Sequence, residues 1–346
     1  MRKLTNNGSK AAAPILNVGI DIGYGVTKAL TSDTQIAFPS VAGYAREIKF
    51  QSSEIANKYP GDQVHDDEGH WFVGDLALSQ LGAGEQRRLR GRTANEGELG
   101  NVFRARLARV AIGKLLPVHE DVVHLRIATG LPVDHMRDAD ALKVALGGQH
   151  VIHTDQANFI ANVTQVMVMP QPYGTIYSQR LTDQGSINKC HTFTRVGVVD
   201  VGTYTVDLAL DDSGEYIDGE SGSVESGVWT AQERIATAIE RDYREKPALR
   251  VVEGVLRSGC LRAAGETVDY SREVEEALAP LRSATMELIA TKWKGGLNVD
   301  VIYVSGGGAE LVIGDIKAYY RQAVLVDGAQ MANARGYLNY ALFAQG

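Results

Sequence analysis

Apolar, strand-like runs end in a glycine-rich turn at three widely separated points of the chain. The three segments are Asp21–Lys28 (DIGYGVTK), Asp200–Asp207 (DVGTYTVD) and Val304–Leu311 (VSGGGAEL). In the first two, apolar positions resume directly after the turn, which predicts a pair of strands joined through residues that tolerate positive φ. After the third, the pattern predicts the start of a helix.

Between these turns the apolar positions follow two periods. Alternating or continuous apolar runs predict strands, whereas apolar residues at every third or fourth position predict helices. Strands are predicted at Thr34–Val41, around Trp71–Gly74, at Val122–Pro132 and twice between Val151 and Met169, and helices at Glu98–Leu116, 228–243, 247–258, 270–294 and from Ala329 onward. This mixture is typical of an α/β protein.

Length and composition indicate more than one core. The chain has 346 residues, of which 44% are hydrophobic, and this exceeds the length that a single core usually supports. The polar stretch Thr182–Lys189 marks a crossing between two lobes. We predict a disordered tail over residues 1–14, a first lobe formed by 15–185 together with 329–346, and a second lobe over 186–328.

One segment, Leu81–Gly100, combines glycines with four closely spaced arginines, which are Arg87, Arg88, Arg90 and Arg92. Its composition predicts a mobile loop. Two interpretations stay open for the arginines, a solvated charged surface or a contact with an acidic neighbour.

The first two turns share one chemical capacity. Successive backbone N–H groups in such a turn point the same way and form a small electropositive nest that suits phosphate oxygens. Two such turns, far apart in sequence, imply two lobes that face one ligand. The glycines of the third segment, Gly306–Gly308, leave space for a flat base or a ribose to approach the backbone.

The three turn segments resemble the first phosphate loop, the second phosphate loop and the adenosine loop of the actin superfamily. Pro170–Tyr177 and Ala329–Leu342 resemble its two connecting helices. Further stretches, Phe38–Gly43, Trp71–Leu78 and Ala128–Pro132, are most similar to bacterial, archaeal and plasmid-segregation actins of the ParM type. The resemblance implies a two-lobed α/β fold of duplicated RNase H-like domains with a nucleotide cleft between them.

Hydrolysis of a nucleotide needs charge neutralisation at the phosphates, a bridging metal ion and a residue that orients water. The resemblance assigns Lys28 to the phosphates and Gln171 to the water. Asp21 and Asp200 each end an apolar strand, where short carboxylates can hold Mg²⁺ through its waters, and Asp200 is also the favoured proton acceptor. Because the neutral amide of Gln171 is not a base, we predict slow hydrolysis that assembly stimulates.

The remaining predicted nucleotide contacts lie in the turns and on one helix. Glu233 is assigned to the ribose by resemblance, and Thr205 serves either a phosphate or only its strand. The predicted cofactor is ATP with Mg²⁺, and GTP stays open because the third turn lacks the threonine of eukaryotic actin. The other predicted contacts are Gly23, Tyr24, Gly25, Gly202, Thr203, Tyr204, Gly306, Gly307 and Gly308.

Three functions fit a two-lobed nucleotide clamp. The resemblance favours an ATPase that polymerises head to tail into a filament, is destabilised by hydrolysis and acts in plasmid or DNA segregation. A non-polymerising nucleotide-binding adaptor is the first alternative. A small-molecule kinase of the same superfamily is the second, although such kinases generally add a substrate-binding insertion that the sequence does not present.

Charge, cysteine content and hydropathy limit the partners. The net charge of −7 disfavours direct binding of nucleic acid, so a separate adaptor protein is expected to contact DNA. Only Cys190 and Cys260 are present, which fits a reducing, cytoplasmic compartment. No apolar run reaches the ~18 residues of a membrane span, and the N-terminus lacks a signal-peptide core, so no membrane partner is expected.

Overall fold

The first glycine-rich turn joins two strands at the centre of a sheet. The structure is a computed structural model that describes residues 14–48, 58–82, 84–89 and 97–345. The elements of the first half of the chain are β1 (Ile15–Ile22), β2 (Val26–Leu30), β3 (Gln35–Pro39), β4 (Val41–Tyr44), β5 (Gln63–Asp66), β6 (Gly69–Val73), α1 (Gly74–Gln80), β7 (Arg87–Arg88), α2 (Gly97–Leu115), β8 (His119–Leu131), α3 (Ala139–Leu146), β9 (Gly148–His153), β10 (Asn158–Pro170) and α4 (Gln171–Arg180).

Six of these strands form the first sheet, in the order β3-β2-β1-β8-β10-β9. β1 and β2 are antiparallel, whereas β1, β8 and β10 run parallel. Val123, Leu125 and Ile127 alternate along β8, so they share one face and pack with the apolar residues of α2 in one buried cluster. The end of β1, which carries Asp21, is therefore supported by a buried apolar core.

A smaller sheet, in the order β5-β6-β4-β7, follows directly after β3. Arg87 and Arg88 form its edge strand and pair with Ala42 and Val41. The prediction of a mobile loop was therefore wrong for these two arginines, because backbone hydrogen bonds to β4 fix them. Arg90 and Arg92 lie outside the described residues.

The second half of the chain builds another sheet. In chain order its elements are β11 (Arg195–Val201), β12 (Val206–Asp212), β13 (Glu215–Tyr216), β14 (Gly222–Val224), α5 (Val228–Tyr243), α6 (Leu249–Ser258), β15 (Cys260–Ala263), β16 (Glu266–Asp269), α7 (Ser271–Trp293), β17 (Val301–Ser305), α8 (Ala309–Tyr319), β18 (Ala323–Leu325) and α9 (Ala332–Phe343). Short 3-10 turns occupy Val133–Asp138, Asp218–Glu220 and Ala329–Met331.

The two sheets share one local arrangement. In the second sheet β11 pairs antiparallel with β12 and parallel with β17, as β1 does with β2 and β8 in the first. Each glycine-rich turn thus joins a central strand to its antiparallel neighbour. A second cluster of buried apolar side chains packs α5, α6, α7 and α8 against this sheet.

The helices α4 and α9 cross between the two sheets. A Cβ at Gly336 would overlap the carbonyl oxygen of Gly174, and a Cβ at Gly174 would lie 2.6 Å from the Cα of Asn333. The backbones of the two helices are therefore in contact. A third cluster surrounds this crossing and contains Ile176 and Tyr337 from the helices together with Val198 of the second sheet.

The predicted elements agree with this architecture in type. The helix predicted at 228–243 has the bounds of α5, and those predicted at 247–258 and 270–294 appear as α6 and α7 within two residues at each end. The α/β fold class is confirmed, while the lobe boundaries stay a prediction and residues 1–13 of the predicted tail lie outside the described residues. Among the helices of the described ranges, none is both long and apolar enough to cross a membrane.

Candidate functional site

The first two glycine-rich turns face each other across a cleft of about 750 Å³, a volume that includes its open mouth. A Cβ at Gly25 would overlap the side chain of Thr203, so the two turns are in direct contact. All but two of the predicted site residues line this cleft, namely Asp21, Gly23, Tyr24, Gly25, Lys28, Gln171, Asp200, Gly202, Thr203, Gly306, Gly307 and Gly308.

Asp21 is the buried carboxylate of the first turn. It stands opposite Lys28 in the β1–β2 ladder, and Lys28 Nζ donates to Asp21 Oδ2 at 2.8 Å. Gln171, the first residue of α4, donates from Nε2 to Asp21 Oδ1 at 3.0 Å. The ammonium of Lys28 thus balances the charge of this carboxylate, and the amide of Gln171 donates to its other oxygen.

Ser40 holds the first turn in place. Its N–H donates to the carbonyl of Gly25 at 2.9 Å, and its hydroxyl donates to the carbonyl of Gly23 at 2.6 Å. Ser40 therefore occupies one acceptor position of each carbonyl and fixes the conformation of the turn. The segment Phe38–Gly43 contributed to the family resemblance, but nothing in the sequence assigned this role to Ser40.

Asp200 is the buried carboxylate of the second turn, and its environment differs. It accepts a hydrogen bond from Asn333 Nδ2 at 2.7 Å and stands opposite a second carboxylate, Asp207, in the β11–β12 ladder. Burial raises the pKa of Asp200 to about 7, and the negative charges of Asp21 and Asp207 add to this effect. A bound cation would stabilise the ionised form of such a group.

Asn333 belongs to a buried polar network that sequence reasoning missed. The hydroxyl of Thr175 on α4 lies 2.8 Å from Asn333 Oδ1 and 2.7 Å from the hydroxyl of Ser305 at the end of β17. This network joins both crossing helices to the second sheet and to Asp200. An asparagine within a helix gives no sequence signal of such a contact.

The third turn closes the cleft beside Asp200. Gly306 has a φ of +89° and touches the backbone of Val201, so a side chain there would clash. Gly308 packs against Val228, whereas a Cβ at Gly307 would meet nothing within 4 Å. Gly307 therefore presents open backbone, as the shape of this segment predicted.

Two predicted contacts, Tyr204 and Glu233, lie outside the lining of the cleft. Tyr204 packs edge-on against Tyr24, with ring centroids 5.9 Å apart. Glu233 is exposed, because the adjacent residue Gln232 occupies the inward face of α5. The assignment of Glu233 to the ribose is therefore corrected.

Gln232 lines the cleft together with Glu253 of α6. Gln232 Nε2 donates weakly to Glu253 Oε1 at 3.4 Å, and burial raises the pKa of Glu253. A side pocket continues from these two residues between Val228, Leu256 and Leu311. Arg257 and Glu310 also line this pocket, so its walls combine apolar and charged side chains.

Thr205 does not need a ligand to satisfy its hydroxyl, which donates to Asp207 Oδ2 at 2.7 Å. Thr205 also lines the cleft, so both predicted roles, a phosphate contact or a strand residue only, stay open.

The residues of the cleft fit a magnesium nucleotide. Backbone at Gly25, Gly306 and Gly308 packs too tightly for side chains, while Lys28 supplies a cation and Asp200 a buried carboxylate with a raised pKa. Within the described ranges no three His, Cys, Asp or Glu side chains come close enough to ligate one ion directly. Two carboxylates and several retained waters are a common environment for Mg²⁺.

Comparison with solved structures agrees with this architecture. The archaeal actin homologue Ta0583, in its complex with ADP, superposes with a TM-score of 0.73 at 22% identity over 94% of this chain and 99% of that one. Apo pSK41 ParM gives 0.72 at 20% identity over 96% and 98%. A subunit of a 15-stranded ParM filament from Clostridium botulinum gives 0.73 at 22% identity over 96% and 99%. These likenesses show a two-lobed actin-like fold.

Comparison with protein families assigns each half of the molecule separately. No curated protein matches the sequence significantly. The model for the N-terminal domain of actin-like proteins matches residues 19–174, and the model for the C-terminal domain of archaeal MreB-like actin homologues matches residues 198–318. The two matches follow each other along the chain and together include all three glycine-rich turns, and the chain belongs to the bacterial and archaeal actin-like proteins.

Proposed function

We propose that the cleft binds a nucleoside triphosphate with hydrated Mg²⁺ and that the protein hydrolyses it. The contact between Gly25 of the first turn and Thr203 of the second carries this proposal, because it brings two phosphate-binding nests to one point. Lys28 and Asp200 beside this contact supply the opposite charges that a phosphate and a metal ion require. The ADP bound to the similar archaeal homologue supports the same ligand class.

The base end of the ligand would occupy the side pocket between Val228, Leu256 and Leu311. Glu253 and Gln232 at its entrance would accept and donate hydrogen bonds to the ribose hydroxyls, which replaces the earlier role of Glu233. ATP is our preferred ligand, and GTP remains the alternative that the binding experiment separates.

The side chains around Asp21 and Asp200 have distinct proposed tasks in hydrolysis. A bound Mg²⁺ would neutralise charge on the β- and γ-phosphates. Asp21 and Asp200 would hold its water shell, and Asp200 would also accept the proton of the attacking water. Gln171 would release its bond to Asp21 and hold that water in line, and because an amide cannot remove a proton, hydrolysis would be slow.

We further propose that nucleotide binding drives head-to-tail polymerisation. The likeness to a ParM filament subunit supports this step, since subunits of one fold can repeat a non-closing contact. A ligand that touches both turns favours one angle between the lobes, and hydrolysis removes part of that bias. A cytoplasmic role in plasmid or DNA segregation, with an adaptor that contacts DNA, completes the proposal.

Light scattering and sedimentation with Mg²⁺ and ATP, GTP, ADP or no nucleotide test the proposal, with phosphate release followed in parallel. We expect a triphosphate to trigger pelleting that decays as phosphate appears, and Asp200→Asn to prolong the polymer. Asp218→Asn, which changes an exposed acid outside the cleft, serves as the control. Tight binding without pelleting would favour the adaptor, and absence of nucleotide binding would contradict the site itself.

A further inference from the structure

Leu297 is 94% exposed, the highest value among the large apolar side chains of the described residues. It lies in a turn over residues 294–299, here called the Leu297 turn, which directly follows α7. Val299 at the end of this turn is buried in the second apolar cluster, so the turn anchors one apolar side chain and presents the other to solvent. A single exposed leucine is common on protein surfaces, so its significance depends on what could cover it.

Hydrogen bonds from the connection between α8 and β18 hold the Leu297 turn. The Tyr320 hydroxyl donates to the carbonyl of Lys294 at 2.8 Å. Gln322 Nε2 donates to the carbonyl of Gly296 at 2.9 Å. Because the backbone of the turn is already fixed, a partner that covers Leu297 would have little loop to order.

A groove lies between α6 and the hairpin of β15 and β16, with a volume of about 1040 Å³ that includes its open mouth. The apolar part of this hairpin groove is formed by Val251, Val255 and Leu261. Gly254 also lines it, and a Cβ there would meet nothing within 4 Å. Glycine destabilises the interior of a helix relative to alanine, and no neighbouring atom requires it here. The groove therefore has room for an apolar side chain from outside.

The Leu297 turn and the hairpin groove lie at opposite ends of α7. A Cβ at Gly259, which joins α6 to β15, would lie 2.8 Å from the Ser271 hydroxyl, so the groove adjoins the first residue of α7. The Leu297 turn begins directly after Trp293, the last residue. A helix of 23 residues is about 34 Å long. A second copy displaced along α7 would therefore bring its Leu297 turn to the hairpin groove of the first.

The charges at the two ends of α7 are complementary. Arg250 and Arg262 line the hairpin groove, and neither forms an ion pair with another described residue. Asp300, next to the Leu297 turn, is exposed and accepts its three hydrogen bonds on Oδ2, which leaves Oδ1 for a partner. Lys294 in the turn and Glu266 in β16 offer the reverse pairing. A second copy of this chain therefore suits the groove better than an uncharged apolar partner.

We propose that Leu297 of one subunit inserts into the hairpin groove of the next and forms part of the head-to-tail contact in the polymer. The two partners contribute different surfaces, so the contact is heterologous and can repeat without closing. Burial of one leucine strengthens such a contact roughly 10- to 100-fold. The inference rests on the proposed polymerisation and identifies the two surfaces that would meet in it.

Two variants test the two surfaces separately. Leu297→Asp removes the inserted side chain, and Gly254→Leu fills the groove from inside, because a Cβ at this position meets nothing within 4 Å. With Mg²⁺ and a non-hydrolysable ATP analogue, we expect each variant to raise the protein concentration needed for pelleting roughly 10- to 100-fold. The nucleotide Kd should not change, because neither residue lines the cleft.

The control variants are matched in chemistry. Val144→Asp places the same charge at another exposed apolar residue, which is 81% exposed on α3. Gly314→Leu changes another helical glycine, in α8, whose Cβ would also meet nothing within 4 Å. Both controls should pellet as the wild type does, which separates loss of the contact from a general effect of surface charge or helix stability.

A mixture of the two test variants gives the decisive result. Leu297→Asp keeps an intact groove and Gly254→Leu keeps an intact leucine, so the mixture should form a one-to-one pair in analytical ultracentrifugation while each variant alone stays monomeric. A mixture that stays monomeric would overturn the contact. Pelleting of both variants at the wild-type concentration would also overturn it and leave the groove to another partner, while the proposed polymerisation would stand. A wild-type protein that does not pellet would overturn the proposed polymerisation together with this contact.

Discussion

The two glycine-rich turns that face the cleft share one strand–turn–strand arrangement and differ in electrostatics. Asp21 stands opposite Lys28 in the first ladder, and Asp200 stands opposite Asp207 at the same register position of the second. The first pair therefore joins a carboxylate to a cation, whereas the second brings two carboxyl groups together. Burial, with the neighbouring carboxylates, raises the pKa of Asp200 to about 7.

The charge of the buried aspartate is balanced by a lysine in the first turn, whereas Asp200 of the second turn has no such ion pair among the described residues. Lys28 already compensates Asp21, so the first turn can present a cation to phosphate without further change. Among the described residues, Asn333 donates a side-chain hydrogen bond to Asp200 and Lys28 acts on it through its charge, and a cation from solution would complete its environment. The two Asp-x-Gly turns alone do not reveal this difference, because it depends on the residue seven positions later, which strand pairing places opposite each aspartate.

Removing the cation of the first turn should have the largest effect. We expect Lys28→Met to destabilise the ligand-free protein by about 3 kcal/mol, because it leaves Asp21 buried and without its ion pair. Urea unfolding measures this loss. The double variant Asp21→Asn with Lys28→Met should recover most of it, and a double variant as unstable as the single one would show that the pair does not account for the loss.

Neutralising Asp200 should have the opposite effect and increase the free energy of unfolding. Its folded pKa of about 7 exceeds the ordinary value of 3.8, so the folded protein holds a proton that the unfolded chain has already lost. Stability should therefore fall as the pH rises from about 4 to 7. Asp200→Asn should remove this slope and stabilise the ligand-free protein at pH 8 by on the order of 2 kcal/mol. A variant less stable than wild type in urea at pH 8 would refute this expectation.

A substitution at Gly25 should disrupt the contact between the two turns. Gly25→Ala places a Cβ against Thr203, so we expect the turns to separate at a cost of about 1–2 kcal/mol and nucleotide binding to weaken roughly tenfold. The matched control is Gly219→Ala, because a Cβ there would meet nothing within 4 Å and Gly219 does not line the cleft. Combining Gly25→Ala with Thr203→Gly should restore binding in titration calorimetry if the overlap is the cause.

The smallest expected effect concerns the second carboxylate of the second turn. Asp207→Asn keeps an acceptor for Thr205 and removes one negative charge beside Asp200. The pKa of Asp200 should fall toward its ordinary value, and the ligand-free protein should gain about 1 kcal/mol at pH 8. Urea unfolding at pH 8 and pH 5 checks this, since the gain should shrink at the lower pH. An equal gain at both pH values would point to a change in packing.

The hydrophobic pattern predicted most of the fold because burial determines it. Apolar periodicity located α5 at its bounds, and the three turns appeared where strands end at the cleft. Lys28 was also predicted in the cleft, and its register opposite Asp21 explains why the spacing within one hairpin was sufficient. Such local relations can be read from a single segment.

Contacts between distant segments could not be predicted in the same way. The ribose was assigned to Glu233, but one position along a helix changes the direction of a side chain by about 100°, and Gln232 faces the cleft instead. Glu253 comes from the next helix, and Asn333 from the last one. Arg88 belonged to a run of charges whose typical place is a solvated loop, and only strand pairing with Val41 located it.

At the crossing of α4 and α9, the two helices meet without side chains between their backbones. Gly174 and Gly336 bring helix backbones into contact, so no rotamer can absorb a rotation of one helix on the other. Asn333 lies one turn before Gly336 and holds Asp200 through a single hydrogen bond. A rotation of α9 against α4 would therefore move Asn333 and change the length of its hydrogen bond to Asp200 in the cleft.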